Sequence, residues 1–362
     1  MAFPAADIQI VDYRPFRLRL YEAIKLLKIF QRSPLFYIRR ARIFSNFIHN
    51  SLPLSAQFPF YLSEKQVINK LSKQNLDCLM VGMDVWCVTS GTERPLFPNI
   101  YWLGEFQGKK VAYAVSGYNS RTELIEKNAI KISELLKDFN LIGARDSYTM
   151  SIIKKYLLNP DIVIKKVPDP TFLFEDKPSR IKDKLTQIGV KFDQPLLGIL
   201  MFQENELMQQ ICAIYHAMGY QILALSMFNP YVDINLGDQL TPIEWAQTFP
   251  LLNFCITNRF HGTIFSILAQ IPFLSLQTEK LEKPENSKIL DLLDSFALTD
   301  CYMDLSSKEK QIEAVIEKMK VIQSNWEGQY LPAINYQIEE KQEKSREYIA
   351  QIKALLIDRD IK

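Results

Sequence analysis

The chain has 362 residues, 48% hydrophobic, 12% aromatic and 23% charged, which excludes a disordered or low-complexity protein and allows two cores. Its formal net charge of +2 is too small to imply a nucleic-acid partner. Five cysteines (Cys78, Cys87, Cys212, Cys255, Cys301) form no C-x-x-C pair and mostly lie among apolar residues, so they read as reduced thiols of a cytosolic protein.

The first ten residues have neither the basic start nor the apolar block of a signal peptide. Residues 8–13 read as a strand, ended by Arg14-Pro15. A basic stretch follows, in which Arg14, Arg17, Arg19, Lys25, Lys28, Arg32, Arg39, Arg40 and Arg42 face a single acid, Glu22. Leu18, Leu26, Ile29, Phe30, Phe36, Ile38 and Phe47 are interleaved with them, the pattern of a basic amphipathic helix. Such a helix is either a solvated face of an ordinary domain or a peripheral contact with a membrane surface.

Residues 63–71 have helical spacing, and 78–81 form a short buried strand closed by Gly82. Another strand covers 110–114 and ends at Ser116-Gly117. Helical spacing over 122–139 is followed by a strand at 141–144 and a helix at 147–158, with Asp146 as its N-cap. The strand at 162–167 stops at Pro168-Asp169-Pro170. Short buried strands alternating with helices predict a parallel sheet covered on both faces. Polar, proline-bearing residues 175–180 form the best linker candidate, after which the alternation resumes. Residues 196–201, 221–226, 251–257 and 272–276 read as strands, and 206–218 and 262–269 as helices. The longest apolar run, 263–276, carries Gln270 and Pro272 and is too short to span a bilayer. Amphipathic helices over 308–322 and 336–357 finish the chain. The expected architecture is α/β: two Rossmann-like domains, 1–178 and 179–325, facing a cleft, with helices of 326–362 packing back on the first domain.

Arg259 and His261 sit where an apolar strand ends and a helix begins. Free backbone N–H groups and the helix dipole favour an anion there. Asn258 and Gly262 flank them, the glycine allowing close approach of backbone to a ligand. Arg145 occupies the corresponding place in the first half, after the strand at 141–144. Ligands of open α/β sheets bind beyond the carboxyl ends of strands, so both guanidinium groups can converge on one ligand across the cleft. A planar guanidinium fork suits carboxylate and phosphate. Each arginine also reads as an ion-pair partner, with Asp146 the obvious partner for Arg145. His261 reads as a general acid, a phosphate ligand or a capping histidine. Asp84 and Trp86 follow a buried strand and could take a sugar's hydroxyl and apolar face; equally, Asp84 caps a turn over a core tryptophan. Ser116 and Asp169 are further strand-end candidates. The sequence has no H-x-x-E-H, cysteine–histidine spacing, Walker loop or G-x-G-x-x-G, so neither a metal nor ATP nor NAD is indicated.

Together these residues resemble the polysaccharide pyruvyl transferase family. The matching segments are 81–86, 110–117 and 143–147, then Asp169-Pro170-Thr171-Phe172-Leu173 and Asn258-Arg259-Phe260-His261-Gly262, while 288–300 is similar to the segment before the closing helices. The resemblance implies a two-domain fold like that of B-type glycosyltransferases, with the acceptor on the N-terminal side. It implies pyruvyl transfer from phosphoenolpyruvate to two hydroxyls of a cell-surface glycan or lipid-linked sugar, leaving a ketal, with no cofactor. Arg145, Arg259 and His261 would hold the donor's carboxylate and phosphate. Two departures fall in the N-terminal half. The family's first strand, loop and helix are missing or replaced, and Met83 stands where serine is usual, one residue short before Trp86. The alternatives are a nucleotide-sugar glycosyltransferase of the same shape and a non-catalytic paralogue that binds glycan or a partner enzyme. A cytoplasmic protein, or one peripheral at the inner face of the plasma membrane through residues 14–42, fits these readings.

Overall fold

The computed structural model describes residues 7–13, 33–89, 97–175, 180–201, 206–281, 286–306 and 312–357. Helices α1 (Pro34–Ser51) and α2 (Glu64–Ser72) precede the first sheet. That sheet comprises β1 (Cys78–Met83), β2 (Lys109–Val115), β3 (Leu141–Ala144) and β4 (Val163–Lys166), all parallel and in sequential order. Its crossovers carry α3 (Thr122–Lys127), α4 (Ala129–Leu136) and α5 (Ser147–Tyr156).

The second half runs α6 (Ile181–Ile188), β5 (Leu196–Leu200), α7 (Glu206–Ala217), β6 (Gln221–Ala224), β7 (Ile234–Asn235), α8 (Pro242–Thr248), β8 (Phe254–Thr257), α9 (Phe260–Leu268), β9 (Phe273–Gln277), α10 (Lys288–Asp294) and β10 (Tyr302–Asp304). Its six strands are parallel in the order β10-β9-β8-β5-β6-β7. The order reverses between β5 and β8, which makes their carboxyl ends the topological switch point where α/β sheets bind ligands. Every residue of β3, β5, β6, β8 and β9 is buried, as parallel strands covered on both faces require. Helices α11 (Ile312–Asn325) and α12 (Leu331–Ile357) close the chain, joined by one π-helical turn, Trp326–Tyr330.

Helix α12 returns to the first sheet. Tyr348 and Ile352 are fully buried against Val111, Tyr113, Ala114, Leu141 and Val167. The Tyr348 hydroxyl donates to the Ala112 carbonyl at 2.7 Å. A Cβ at Gly143 would lie 2.8 Å from Val167 Cγ2 and 2.9 Å from Tyr348 Cζ, so the glycine admits the closing helix.

Several expectations change on inspection. Residues 8–13 form only an isolated bridge, Ile10 to Leu54, because no second strand lies alongside to extend the ladder. The helix expected over 122–139 is two helices. At the junction the Asn128 side chain donates to the Leu124 carbonyl at 2.7 Å, a bond that competes with a continuous helix. The last helix begins at Leu331, not at 336. Within the linker candidate, 176–179 lie outside the described residues, as do 14–32 of the basic stretch.

The described part of that stretch, α1, packs on the C-terminal half. Phe36 is buried with its ring 5.8 Å from that of Phe228, and Arg39 bonds Asp238 at 2.6 Å. Leu35 and Ile38 remain exposed. All five cysteines are free thiols, and burial pushes Cys212, Cys255 and Cys301 up to about 12, far from reactive thiolates. No helix of the described residues is long and apolar enough to cross a membrane.

Candidate functional site

Arg145 follows β3, and its backbone N–H donates to the Val115 carbonyl of β2 at 2.9 Å. Asp146 is occupied as the N-cap of α5, accepting from the Thr149 N–H at 2.8 Å and its hydroxyl at 2.7 Å. The sequence pointed to Asp146 as the partner of Arg145, but the guanidinium turns the other way. Its Nη1 donates to Asp169 Oδ2 at 2.9 Å and its Nη2 to Asp84 Oδ1, while its Cζ lies 4.5 Å from the centre of the Phe260 ring. Asp84, just after β1, also accepts from Lys288 Nζ at the start of α10. The Lys288 ammonium lies 4.5 Å from the Tyr118 ring centre and 5.3 Å from that of Phe260. Across the cleft, His261 Nε2 approaches Asp169 Oδ2 to 3.8 Å. The carboxyl ends of both sheets thus meet in one cluster: Asp84, Arg145 and Asp169 from the first half, His261 and Lys288 from the second.

The local fold explains why these side chains arrive there. Asp169 caps the turn at Pro170–Leu173 through the Thr171 N–H, which its Oδ1 accepts at 3.0 Å. Ser287 caps α10 by accepting from the Leu290 N–H at 3.2 Å, which sets Lys288 at the first helical position. At the end of β8, Thr257 Oγ1 accepts the Arg259 N–H at 2.9 Å and donates to the Leu200 carbonyl at 3.2 Å, fixing the turn into α9.

Charge balance distinguishes the members. Burial alone would raise the Asp169 carboxyl, but Arg145, His261 and the Thr171 hydroxyl and N–H outweigh it and hold it below the usual carboxylate range. His261 is held below the ordinary histidine value by burial, with Arg145 and Lys288 adding to the effect and Asp169 opposing it. Its side chain is still 47% exposed, so solvent softens the burial contribution while the two cations keep their sign. The imidazole is therefore mainly neutral at neutral pH.

Arg259 has other neighbours. Burial pushes its guanidinium down to about 9, Glu279 opposes that and Arg40 of α1 adds to it; the group stays charged at neutral pH. Asn258 donates from Nδ2 to the Thr278 hydroxyl at 3.1 Å. Three candidates turn out to be packed, and their expected contact with a ligand is corrected. Trp86 is buried, stacked on Trp102 at 4.6 Å and edge-on to Phe139, and donates from Nε1 to the Tyr101 carbonyl; it is a core tryptophan with no face for a sugar. Ser116 is fully buried, its hydroxyl accepting the Tyr118 N–H at 3.2 Å, so it builds a turn. A Cβ at Gly262 would fall 2.3 Å from Thr257 Oγ1 and 2.4 Å from Leu200 Cδ2, so this glycine lets α9 pack on its sheet.

A cavity of about 330 Å³ opens beside the cluster, lined by Arg145, Asp169, Phe260 and Lys288 and continuing to Lys166, Asp291, Lys341 and Lys344. Sequence reading missed Lys288 and these further residues; only its place as the first residue of the family-like segment 288–300 hinted at Lys288. Among the described residues, no group of three or more His, Cys, Asp or Glu could hold a metal ion.

Residues 7–279 match the model of the family described as polysaccharide pyruvyl transferase. The chain belongs to the polysaccharide pyruvyl transferase family. Membership supports an enzyme class that modifies polysaccharide. No curated protein matches the chain by sequence. Among solved structures, a UDP-N-acetylglucosamine 2-epimerase from Listeria monocytogenes, described as putative, aligns with TM-score 0.56 at 13% identity, covering 98% of each chain. The enzyme of that name from Rickettsia bellii aligns with TM-score 0.52 at 11% identity, over 98% of this chain and 97% of its own. A third, from Neisseria meningitidis and solved with UDP-GlcNAc, gives 0.50 at 10% identity over 94% and 92%. At such identities the likeness is one of fold: paired parallel α/β halves of the B-type glycosyltransferase kind.

Proposed function

We propose that the protein transfers a pyruvyl group from phosphoenolpyruvate to two hydroxyls of a cell-surface polysaccharide or its precursor. The observation that supports this most directly is the meeting of Arg145, Lys288 and His261, from both halves, at the carboxyl ends of the strands. A donor with one carboxylate and one phosphate needs several cations in a small volume. Arg145 and Lys288 both line the cavity beside the cluster, so their charge is within reach of a bound anion. Asp169, 5% exposed, is the fixed counter-ion of Arg145; Asp84, 29% exposed, is the one that can give way. Arg259 and Asn258, at the end of β8, join the reading as further holders of the phosphate on the strength of the family resemblance.

The chemistry follows from these positions. A neutral His261 gains a proton as the donor's negative charge arrives, since an adjacent anion favours imidazolium. That proton goes to C3 of the enol and makes C2 electrophilic. One sugar hydroxyl adds to C2 and gives its proton to Asp84, released from Lys288 and Arg145 by the ligand. The second hydroxyl then forms the other C–O bond as phosphate departs from C2 with the second proton. Arg145 and Lys288 stabilise the charge that builds on the leaving phosphate, an effect commonly worth about 3 kcal/mol per donor.

Incubation of the purified protein with phosphoenolpyruvate and candidate glycans tests the reading by phosphate release and a pyruvyl mass gain on the sugar. Thermal-shift titration is a simpler check, and absence of stabilisation by phosphoenolpyruvate at about millimolar concentration would reject it. Stabilisation by a nucleoside diphosphate in its place would favour a nucleotide-sugar glycosyltransferase.

A further inference from the structure

We infer that Lys166, Lys341 and Lys344 form a second anion subsite in the cleft, which binds a phosphate group carried by the sugar acceptor. The inference rests on the pyruvyl-transfer reading and names the acceptor's chemical class: a sugar joined to its carrier through phosphate.

The three lysines converge from two elements, β4 and α12, on the cavity that Arg145 and Lys288 also line. Lys166 ends β4, where its ammonium donates to the Ser147 hydroxyl at 2.8 Å and pairs with Asp291 at 3.0 Å. Lys344 of α12 pairs with Glu340 at 2.6 Å. Lys341, one residue after Glu340, has no carboxylate at ion-pair distance among the described residues and rests 5.5 Å from the centre of the Phe296 ring. Three ammonium groups thus face two carboxylates. Burial lowers the proton affinity of Lys341, Lys344 and Lys166 lower it further, and Glu340 and Asp291 only partly compensate.

An excess of positive charge in a concave site is costly without an anion and is relieved by one. Lysines act as mobile point charges, which suits a tetrahedral phosphate approached from several sides; a planar carboxylate is better served by the fork of an arginine. The volume of about 330 Å³ matches a compact ligand site. With a phosphate at the lysines, the attached sugar lies in the same cavity as Arg145 and Lys288, where the donor's C2 would be presented.

The test uses inorganic pyrophosphate on the full-length protein, read by thermal shift with and without saturating phosphoenolpyruvate. Pyrophosphate is expected to stabilise the protein further when phosphoenolpyruvate is already bound. Lys341→Gln should raise the half-saturating pyrophosphate concentration about tenfold, the loss of one charge-assisted hydrogen bond. Lys341→Arg should restore binding, and the shift caused by phosphoenolpyruvate should be unchanged in both variants. Full competition between the two anions, equal pyrophosphate binding by Lys341→Gln, or no binding at all overturns the subsite. Should phosphoenolpyruvate fail to bind while the Lys341-dependent response persists, the donor assignment falls and the phosphate site stands. UDP-N-acetylglucosamine and farnesyl diphosphate, run in parallel, distinguish a nucleotide carrier from a lipid carrier by whichever binds more tightly than pyrophosphate. If neither does, the link to a carrier-borne acceptor is refuted.

Discussion

Arg145 and Arg259 occupy similar places, one residue or two beyond a buried parallel strand and within two residues of a helix start, yet their surroundings differ. Arg145 is 4% exposed, bonded to Asp84 and Asp169 and covered by the Phe260 ring. At Arg259 burial works against the charge, Arg40 adds to that effect and Glu279 opposes it. The first guanidinium is a keystone that neutralises two carboxylates; the second is a cation under electrostatic pressure. Equivalent topology puts a side chain at a strand end, while residues from distant elements decide its electrostatic surroundings.

The largest effect that could break this contrast is on stability. Arg145→Leu leaves two carboxylates close together without their cation, and should cost about 3–5 kcal/mol. Arg259→Leu removes a charge that burial disfavours and should cost less. Urea denaturation of both variants measures the difference, and equal losses would end the distinction. Arg145→Lys keeps the charge but loses the bidentate geometry. Under the proposed reaction it should lower phosphate release about a hundredfold with a smaller loss of stability. Gly262→Ala probes the other strand end. Its new Cβ collides with Thr257 Oγ1 and Leu200 Cδ2, so about 1–3 kcal/mol of overpacking cost is expected in a thermal melt. A variant as stable as the parent would mean that α9 shifts freely, and the fixed turn at Arg259 would then be in question.

Much of this organisation was legible in the sequence for a physical reason. Strands β3, β5, β8 and β9 are buried on both faces, so they read as short apolar runs, and a parallel α/β fold follows. Strand-end logic then singled out Asp84, Arg145, Asp169 and His261, which do meet; it also expected Arg259 to converge with Arg145, but Arg259 has Glu279 and Arg40 as charged neighbours and does not line the cavity. Two-residue β7 and three-residue β10 are too short to show periodicity. Trp86 reads the same before a sugar as before a core; only its stacking on Trp102 and contact with Phe139 decide the matter. Lys288 and the lysines of α12 carry no local pattern, because their importance comes from the docking of helices remote in the chain.

The smallest expected effect concerns His261, two residues after Arg259 and under the charge of Arg145, and it sharpens the comparison through pH. His261 is depressed in the folded protein by burial and by Arg145 and Lys288. The unfolded chain, with a histidine near its ordinary 6.5, therefore binds more protons than the native state over the interval below that value. The stability associated with the neutral ring is present above pH 6.5 and is lost as pH falls below it. His261→Asn should flatten that part of the stability profile, measured by denaturant unfolding between about pH 5 and 7. Asp169 gives loss in the same direction but at lower pH: its carboxylate is held below the usual range, so its contribution fades only as pH falls through that depressed value. Phosphoenolpyruvate should reverse the sign at His261. A bound anion raises the imidazole's proton affinity, so binding takes up a proton and tightens as pH drops toward the depressed value of the free protein. Titration calorimetry in two buffers of different ionisation enthalpy would report that uptake, and its persistence in His261→Asn would move the proton to another group, with Arg259's neighbourhood the next to examine.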